Sequence, residues 1–368
     1  MNKNLKIIVL FIAVLPLFAS GQELQWKVNL NYFFDNTEFA KSTLSADQTM
    51  AGVHFAPEIG VKFDENQSVF GGMDLLKKSG SVPILDKAKL IAYYQFKNEN
   101  TFFQAGAFPR GELLSNYSSV FFQDSINFYR PVMEGLYFKK GNENEFINLW
   151  MDWTGMQTNK NRETFFLGAS GYKSFKTMFF GEFQSYMFHF AGVRPADPYV
   201  SVNDYVQGQF SVGAKYSNDR GLNNLMFSAG VLASYERDRQ HIKNYGTPVG
   251  AVIRLNADYK GIGTENTVYI GQPRMVLYYR YGNELYWGNP FYRSTNYIEN
   301  KIYWNFIENQ YVKGQIASKM HYTEGKLMFE QLFTLSASIG SDNARQKRAT
   351  IFDWFLQRRN KPKHNFNL

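Results

Sequence analysis

The residues best suited to acid–base chemistry, the histidines, are spread along the whole chain: His54, His189, His241, His321 and His364. None has the HExxH spacing that places two zinc ligands on one helix face. Residues 168–171 read GASG, which is not the G-x-S-x-G of a nucleophile elbow. The sequence therefore predicts no catalytic residue, no metal site and no cofactor, and we expect the chain not to be an enzyme. A catalytic set assembled from distant residues is the alternative.

A candidate binding segment combines aromatic residues with arginines at residues 272–296. It reads QPRMVLYYRYGNELYWGNPFYRSTN and contains Arg280, Tyr286, Trp287 and Arg293. Aromatic faces pack on sugars or peptides, and arginines pair with anions, so these residues predict a binding platform on a surface loop. The alternative is that the ends of the segment belong to strands and its aromatics form a girdle at the membrane surface.

The chain begins with the features of a secretory signal. Lys3 and Lys6 precede an apolar run at residues 7–18, and small residues suited to cleavage follow it. The run is too short to cross a membrane as a helix. We therefore predict that residues 1–21 are a signal peptide.

The composition excludes several classes of protein. The chain has no cysteine, so no disulfide framework is possible, and no later stretch is long and apolar enough for a transmembrane helix. Aromatic residues make up 17% of the chain, yet its mean hydropathy is −0.37. Of the net charge of +8, residues 340–368 carry +5 and Lys3 and Lys6 carry two charges. Because the rest is close to neutral, we expect no nucleic-acid partner.

Alternating apolar and polar residues indicate strands. In residues 247–261, TPVGAVIRLNADYKG, Ile253 lies on an apolar face and Arg254 on a polar one. Such segments recur, and their connections alternate between short and long, as periplasmic turns and external loops do in outer-membrane barrels. We predict an all-β fold, a transmembrane antiparallel up-and-down β-barrel of about 16 strands, over residues 22–339. Residues 340–368 would form a basic periplasmic tail.

On these features the mature chain resembles porin-type outer-membrane β-barrel proteins. The resemblance is architectural, and one departure is that Ile339 is followed by a basic tail instead of an aromatic chain end. It implies a place in the outer membrane of a Gram-negative cell, in contact with outer-membrane lipid. It also implies a channel for passive diffusion of small polar solutes, because a barrel of this size leaves an aqueous pore. The alternative is an anchor or receptor barrel whose loops or tail bind partners. The sequence leaves open a homo-oligomer and a periplasmic partner for the tail.

In the porins that this chain resembles, the third external loop folds into the lumen and narrows it. Residues 110–130 would be that loop here, with carboxylates facing cations of the wall across a narrow pore. The predicted constriction residues are Glu112, Asp124, Lys89, Arg254 and Lys313. The alternative is that the loop caps the barrel or contacts a neighbouring subunit.

Overall fold

The structure is a computed structural model that describes residues 22–111, 113–175, 178–197, 199–218, 221–240 and 245–341. Its strands are β1 Glu23–Glu38, β2 Gln48–Lys62, β3 Gln67–Lys78, β4 Lys87–Lys97, β5 Thr101–Pro109, β6 Val132–Gly141, β7 Glu145–Gly155, β8 Thr164–Phe175, β9 Phe179–Phe190, β10 Asn203–Tyr216, β11 Leu222–Asp238, β12 Val249–Tyr259, β13 Ile262–Gly271, β14 Asn296–Glu308, β15 Val312–Thr323 and β16 Lys326–Gly340. Its helical segments are Asp124–Tyr129, Tyr278–Tyr281, Gly282–Glu284 and Pro290–Arg293. None of the helices in these ranges is long and apolar enough to span a membrane.

The sixteen strands form one closed barrel. Each strand pairs antiparallel with its neighbours in sequence, and β16 returns to pair with β1 over the register Lys27↔Gly340 to Glu38↔Phe329. The predicted up-and-down barrel of about 16 strands is confirmed. One end carries short turns and the other carries most of the long connections, and we call them the short-turn end and the long-loop end. The predicted signal peptide, residues 1–21, and all of the predicted tail beyond Ser341 lie outside the described residues.

The two faces of the wall follow the alternation in the sequence. On β12 the side chains of Ile253, Leu255 and Tyr259 are exposed on the outside of the barrel, whereas Val252 is buried inside. Large apolar side chains exposed on alternate positions of a strand are those that face lipid in a membrane barrel. The outer surface therefore has the apolar character that a bilayer requires.

The start of β13 is earlier than the sequence predicts. The sequence favours a turn at residues 261–265, but the turn is tighter and is built from Lys260 and Gly261, both at positive φ. Gly263 lies within the strand, and a Cβ at this position would overlap the ring of Tyr303. The glycine thus makes room for the Tyr303 ring beside the strand and does not mark a loop.

Two connections fold into the lumen instead of outward. Loop 3 (residues 110–131) joins β5 to β6, and loop 7 (residues 272–295) joins β13 to β14. Their apolar side chains pack against inward-facing aromatics of the wall in one continuous core. The buried loop residues include Leu114, Val120, Phe121, Phe122, Ile126, Met275, Leu277, Leu285, Trp287 and Phe291.

Loops 3 and 7 meet near the middle of the lumen through backbone hydrogen bonds. The amide of Gln123 donates to the carbonyl of Trp287 at 2.8 Å, and the amide of Asn289 donates to the carbonyl of Ser119 at 2.8 Å. Between them a Cβ at Gly288 would overlap the Val120 carbonyl, so only glycine fits at this crossing. The two loops therefore form one plug in the long-loop half of the lumen.

The lipid-facing register of β12 predicts the effect of a charge at Ile253. This residue lies midway along its strand, between Ala229 of β11 and Val268 of β13. Ile253→Arg should lower the free energy of unfolding in lipid vesicles by about 2–4 kcal/mol. The matched control is Asn256→Arg, which adds the same charge on the lumen side and should cost much less. Urea unfolding in vesicles measures both, and equal costs would contradict this register.

Because β16 closes the barrel against β1 by Gly340, we predict that the tail is not needed for closure. Deleting residues 344–368 should leave an inserted barrel that resists heat in detergent and shifts on a gel only after boiling. A deletion product that unfolds at room temperature would show that the tail contributes to the wall.

Candidate functional site

The wall of the barrel loses ladder pairing at its long-loop end between β4 and β7. Strands β5 and β6 have nine and ten residues, and they stay paired with each other up to Pro109↔Val132. Ladder pairing of β4 with β5 begins only at Ala92↔Ala107, and that of β6 with β7 begins at Gly135↔Asp152. Residues 87–91 of β4 and 153–155 of β7 therefore lie beyond the last ladder pairs with β5 and β6. We call this gap the notch.

Two prolines explain why the ladder stops here. Pro109 ends β5, and Pro131 immediately precedes β6. Proline has no backbone N–H, so it ends a ladder without leaving an unpaired donor. The amide of Arg110 donates to the Pro131 carbonyl at 2.7 Å and closes the base of loop 3. The chain turns from the wall into the lumen at this pair.

The notch opens into a cavity of about 490 Å³. Its charged lining residues are Lys87, Lys89, Arg110, Arg130, Glu134 and Asp152. Four cations against two carboxylates leave a net charge of +2. Apolar atoms of Trp153, Met156 and Trp287 complete the lining. The cavity is therefore cationic and partly apolar.

Arg110 is the central group of the notch. Its side chain is 2% exposed and forms an ion pair with Asp152, and its Nε donates to the Arg130 carbonyl at 3.0 Å. Its Nη1 is buried and has no hydrogen-bond partner among the described residues. The guanidinium of Arg130 lies 4.5 Å from the ring centroid of Trp287, and that of Arg110 lies 5.5 Å from the same ring. One indole thus supports both cations by cation–π contact.

The carboxylates of the notch differ in exposure. Asp152 is buried, and its second oxygen accepts from the amide of Glu134 at 3.0 Å. The Glu134 side chain is half exposed and lies 2.8 Å from the Lys89 ammonium. Glu134 is therefore the carboxylate of the cavity lining that solvent reaches most readily.

A second polar cluster ties the plug to the opposite wall. Lys319 pairs with Asp124 of loop 3 and lies 3.5 Å from Glu330, which in turn lies 3.0 Å from Nε2 of His321. The other ring nitrogen of His321 lies 2.7 Å from the Tyr297 hydroxyl. Burial raises the pKa of the Asp124 carboxyl, but the charges of Lys319 and Lys301 and the hydrogen bond from Lys319 together hold this pKa below its usual range.

His54 holds the C-terminal end of the loop 3 helix, Asp124–Tyr129, whose first residue pairs with Lys319. Its Nδ1 lies 2.8 Å from Asp74, and its Nε2 lies 2.6 Å from the carbonyl of Phe128. Phe128 also stacks on Phe33 with ring centroids 4.4 Å apart. Both ring nitrogens of His54 and of His321 thus have partners: Nε2 of His54 contacts the plug, and the other three nitrogens contact residues of the wall. No group of three or more acidic, histidine or cysteine side chains in the described ranges could hold a metal ion.

The predicted constriction residues are spread over the lumen. The three predicted wall cations face inward, and each contacts a carboxylate: Lys89 with Glu134, Arg254 with Glu182 and Lys313 with Glu308. Asp124 lies inside on loop 3, whereas Glu112 lies outside the described residues. Only Lys89 belongs to the notch, and a constriction formed by this set stays a prediction.

The predicted surface platform needs a correction. Tyr286 and Trp287 are 0% and 2% exposed, because loop 7 folds into the lumen and both rings join the core. The Tyr286 hydroxyl donates to Glu236 at 2.7 Å. Arg280 lies 3.2 Å from Asp238, and the guanidinium of Arg293 lies 4.0 Å from the ring centroid of Tyr278. These aromatics therefore fill the plug instead of facing solvent.

A larger cavity of about 780 Å³ lies beside the connection from β1 to β2. Its charged lining residues are Glu38, Lys41 and Asp47. The Asp47 carboxylate accepts a hydrogen bond from the amide of Phe39, so it has a structural role in this connection. The smaller cavity at the notch combines buried charge, a break in the wall and an unpartnered donor, so it is the better candidate site.

Solved structures with a similar fold are outer-membrane proteins. OccK9 (OpdG) of Pseudomonas aeruginosa is 10% identical, with a TM-score of 0.51 over 86% of this chain and 98% of that one. OprD of the same organism is 8% identical, with a TM-score of 0.51 over 86% and 94%. A loop L8 deletion mutant of OmpT of Vibrio cholerae is 9% identical, with a TM-score of 0.51 over 87% and 100%. These likenesses concern the fold, and they place the chain among outer-membrane barrels. No curated protein matches the chain.

The family comparison corrects one prediction from the sequence. The sequence model of the lipid A 3'-O-deacylase-type family matches residues 18–340, which is nearly the whole chain. The prediction that the chain is not an enzyme is therefore wrong, because this family is one of enzymes. The match extends over the whole described barrel, and the motifs considered in the sequence, HExxH and G-x-S-x-G, do not reveal it. This outer-membrane β-barrel belongs to the lipid A 3'-O-deacylase-type family.

Proposed function

We propose that this chain hydrolyses an acyl ester of a lipid A-like glycolipid in the outer leaflet of the outer membrane. The observation that carries the proposal is the family match over residues 18–340. A 3'-O-deacylase cleaves the ester between a fatty acid and a sugar oxygen. The substrate is therefore a membrane lipid, and it has to reach the catalytic groups from the bilayer.

The position of the notch supports this route. Loops 3 and 7 pack against the wall in the long-loop half of the lumen, which favours entry of a lipid from the side of the barrel over entry through that end. The notch instead borders the outer surface, where Leu90 of β4 and Trp153 of β7 expose apolar side chains. A lipid lying against these residues would bring its polar part to the cavity.

The chemistry assigned to the notch uses Glu134 as the general base. Its carboxylate removes a proton from a water molecule as the water oxygen attacks the ester carbonyl carbon. The bond from this carbon to the sugar oxygen then breaks, and the sugar oxygen takes the proton from Glu134. Lys89 beside Glu134, and Arg130 on the facing side, supply positive charge for the oxyanion of the intermediate.

Substituting this carboxylate tests the proposal. Glu134→Gln should slow the release of fatty acid from lipid A in mixed micelles by roughly 100-fold or more, because general-base catalysis contributes about that factor. The matched control is Glu145→Gln, since Glu145 also lies 2.8 Å from a lysine, Lys173, but at the short-turn end. Mass spectrometry of the product lipid measures the rate. Release that is unchanged in Glu134→Gln would remove Glu134 as the base, and no release by the parent protein would overturn the hydrolase.

A second function, passive diffusion of small polar solutes, is supported by the short-turn half of the lumen. There the inward-facing side chains of Asn31 and Lys313 are exposed to solvent. Charged groups such as Arg254 and Glu182 line the wall between this space and the plug. A solute path would then depend on how far loops 3 and 7 open.

Shortening loop 3 tests this path. Deleting residues 115–124 should raise the single-channel conductance in planar bilayers several-fold, because it removes the part of loop 3 that meets loop 7. Deleting residues 81–84, in the connection from β3 to β4, is the control and should leave the conductance unchanged. If both deletion variants and the parent protein have the same conductance, loop 3 does not restrict the solute path.

A further inference from the structure

We infer that the notch binds the anionic headgroup of an outer-leaflet lipid, with the lipid's acyl chains on the outer wall beside it. This inference rests on the proposed function for its biological role, but it concerns recognition and not hydrolysis. It states that the protein selects lipids by the negative charge of a phosphate-class headgroup.

The first step concerns the cations of the cavity lining that form no ion pair with a described carboxylate. Each carboxylate of the lining already has a cation, since Glu134 contacts Lys89 and Asp152 contacts Arg110. The ammonium of Lys87 donates only to a carbonyl, that of Tyr129 at 3.1 Å, and no described carboxylate lies within ion-pair distance of it. The guanidinium of Arg130 likewise rests on the Trp287 ring without a described carboxylate. An anion entering the cavity would meet both of these cations.

The second step concerns Arg110. A buried guanidinium nitrogen without a hydrogen-bond partner is costly, and native proteins have few such groups. Nη1 of Arg110 is one of them among the described residues, and Arg110 lines the cavity. Guanidinium groups bind phosphate oxygens through paired N–H donors, so a phosphate-class anion would suit this arginine and Arg130. The unpartnered donor therefore favours a ligand over a site filled by the protein alone.

The third step distinguishes a lipid from a soluble anion. The connection that leads into Lys87 exposes Val82 and Ile84 at 98% and 96%. On the other side of the notch Met156 is also largely exposed, and Leu90 and Trp153 face outward just below. Apolar side chains on both sides of a cationic cavity match an amphiphile whose anion enters the cavity and whose chains stay outside. A free anion would make no use of them.

The test measures lipid retention without turnover. The full mature chain is reconstituted in phosphatidylcholine vesicles that contain a small fraction of phosphatidic acid, and native mass spectrometry counts the phosphatidic acid that stays bound. The parent should retain it. The double variant Lys87→Gln with Arg130→Gln should retain about tenfold less, because each substitution removes a charged hydrogen-bond donor. The control Lys160→Gln removes an exposed lysine of the next long-loop connection and should behave as the parent.

Two further measurements complete the test. A competition with inorganic phosphate distinguishes a lipid from a free anion, and fluorescence quenching tests the site without relying on the double variant, which could fail to fold. Inorganic phosphate should not displace phosphatidic acid, and full displacement would overturn the lipid site in favour of a free anion. Brominated phosphatidic acid should quench the tryptophan fluorescence of the parent more than brominated phosphatidylcholine does, and Trp153→Phe should reduce this difference.

Equal retention by the parent and the double variant, or equal quenching by the two lipids, would overturn the inference. A parent that retains phosphatidic acid but releases no fatty acid from lipid A would overturn the hydrolase and leave the binding site standing.

Discussion

Every feature of this barrel depends on the closed ladder of backbone hydrogen bonds. In hydrocarbon each unpaired N–H or C=O costs several kcal/mol, so a sheet in a membrane has to pair its first strand with its last. The pairing of β16 with β1 meets this requirement. It also limits where the wall can be interrupted. The notch lies above the paired part of β5 and β6, between Pro109 and Pro131, where few backbone donors are left without a partner. The candidate site is thus placed where the ladder can end.

The same constraint gives loop 3 its central role. A closed wall leaves the lumen as the only interior, and the long-loop half of that interior is filled by loops 3 and 7. Loop 3 begins and ends at the notch with Arg110 and Arg130, and its helix reaches the opposite wall through Asp124 and Lys319. Trp287 of loop 7 supports both arginines. Binding at the notch and closure of the lumen are therefore joined in one segment of packed chain.

Much of the fold could be predicted from the sequence, because a strand that faces lipid on one side has to alternate. Ile253 and Arg254 lie on the two sides that the alternation indicates. The position of Arg280 and Trp287 could not be predicted, because aromatic residues mixed with arginines suit an exposed platform and a buried plug equally well. The notch could not be predicted either. It arises where the ladders of β4 with β5 and of β6 with β7 stop, which only the register across four strands defines. Membership of the family was missed because the chain contains neither of the motifs considered, HExxH and G-x-S-x-G.

The two inward loops also have a mechanical consequence. Loops 3 and 7 follow β5 and β13, which are eight strands apart and so lie on opposite sides of the ring. Each is fixed at its base by a buried arginine. In loop 3 Arg110 forms an ion pair with Asp152, and in loop 7 Arg274 donates hydrogen bonds to the carbonyls of Leu232 and Pro248. Joined at mid-lumen, they form a strut across the diameter. A packed strut of this kind would resist flattening of the ring of strands under the lateral pressure of a bilayer.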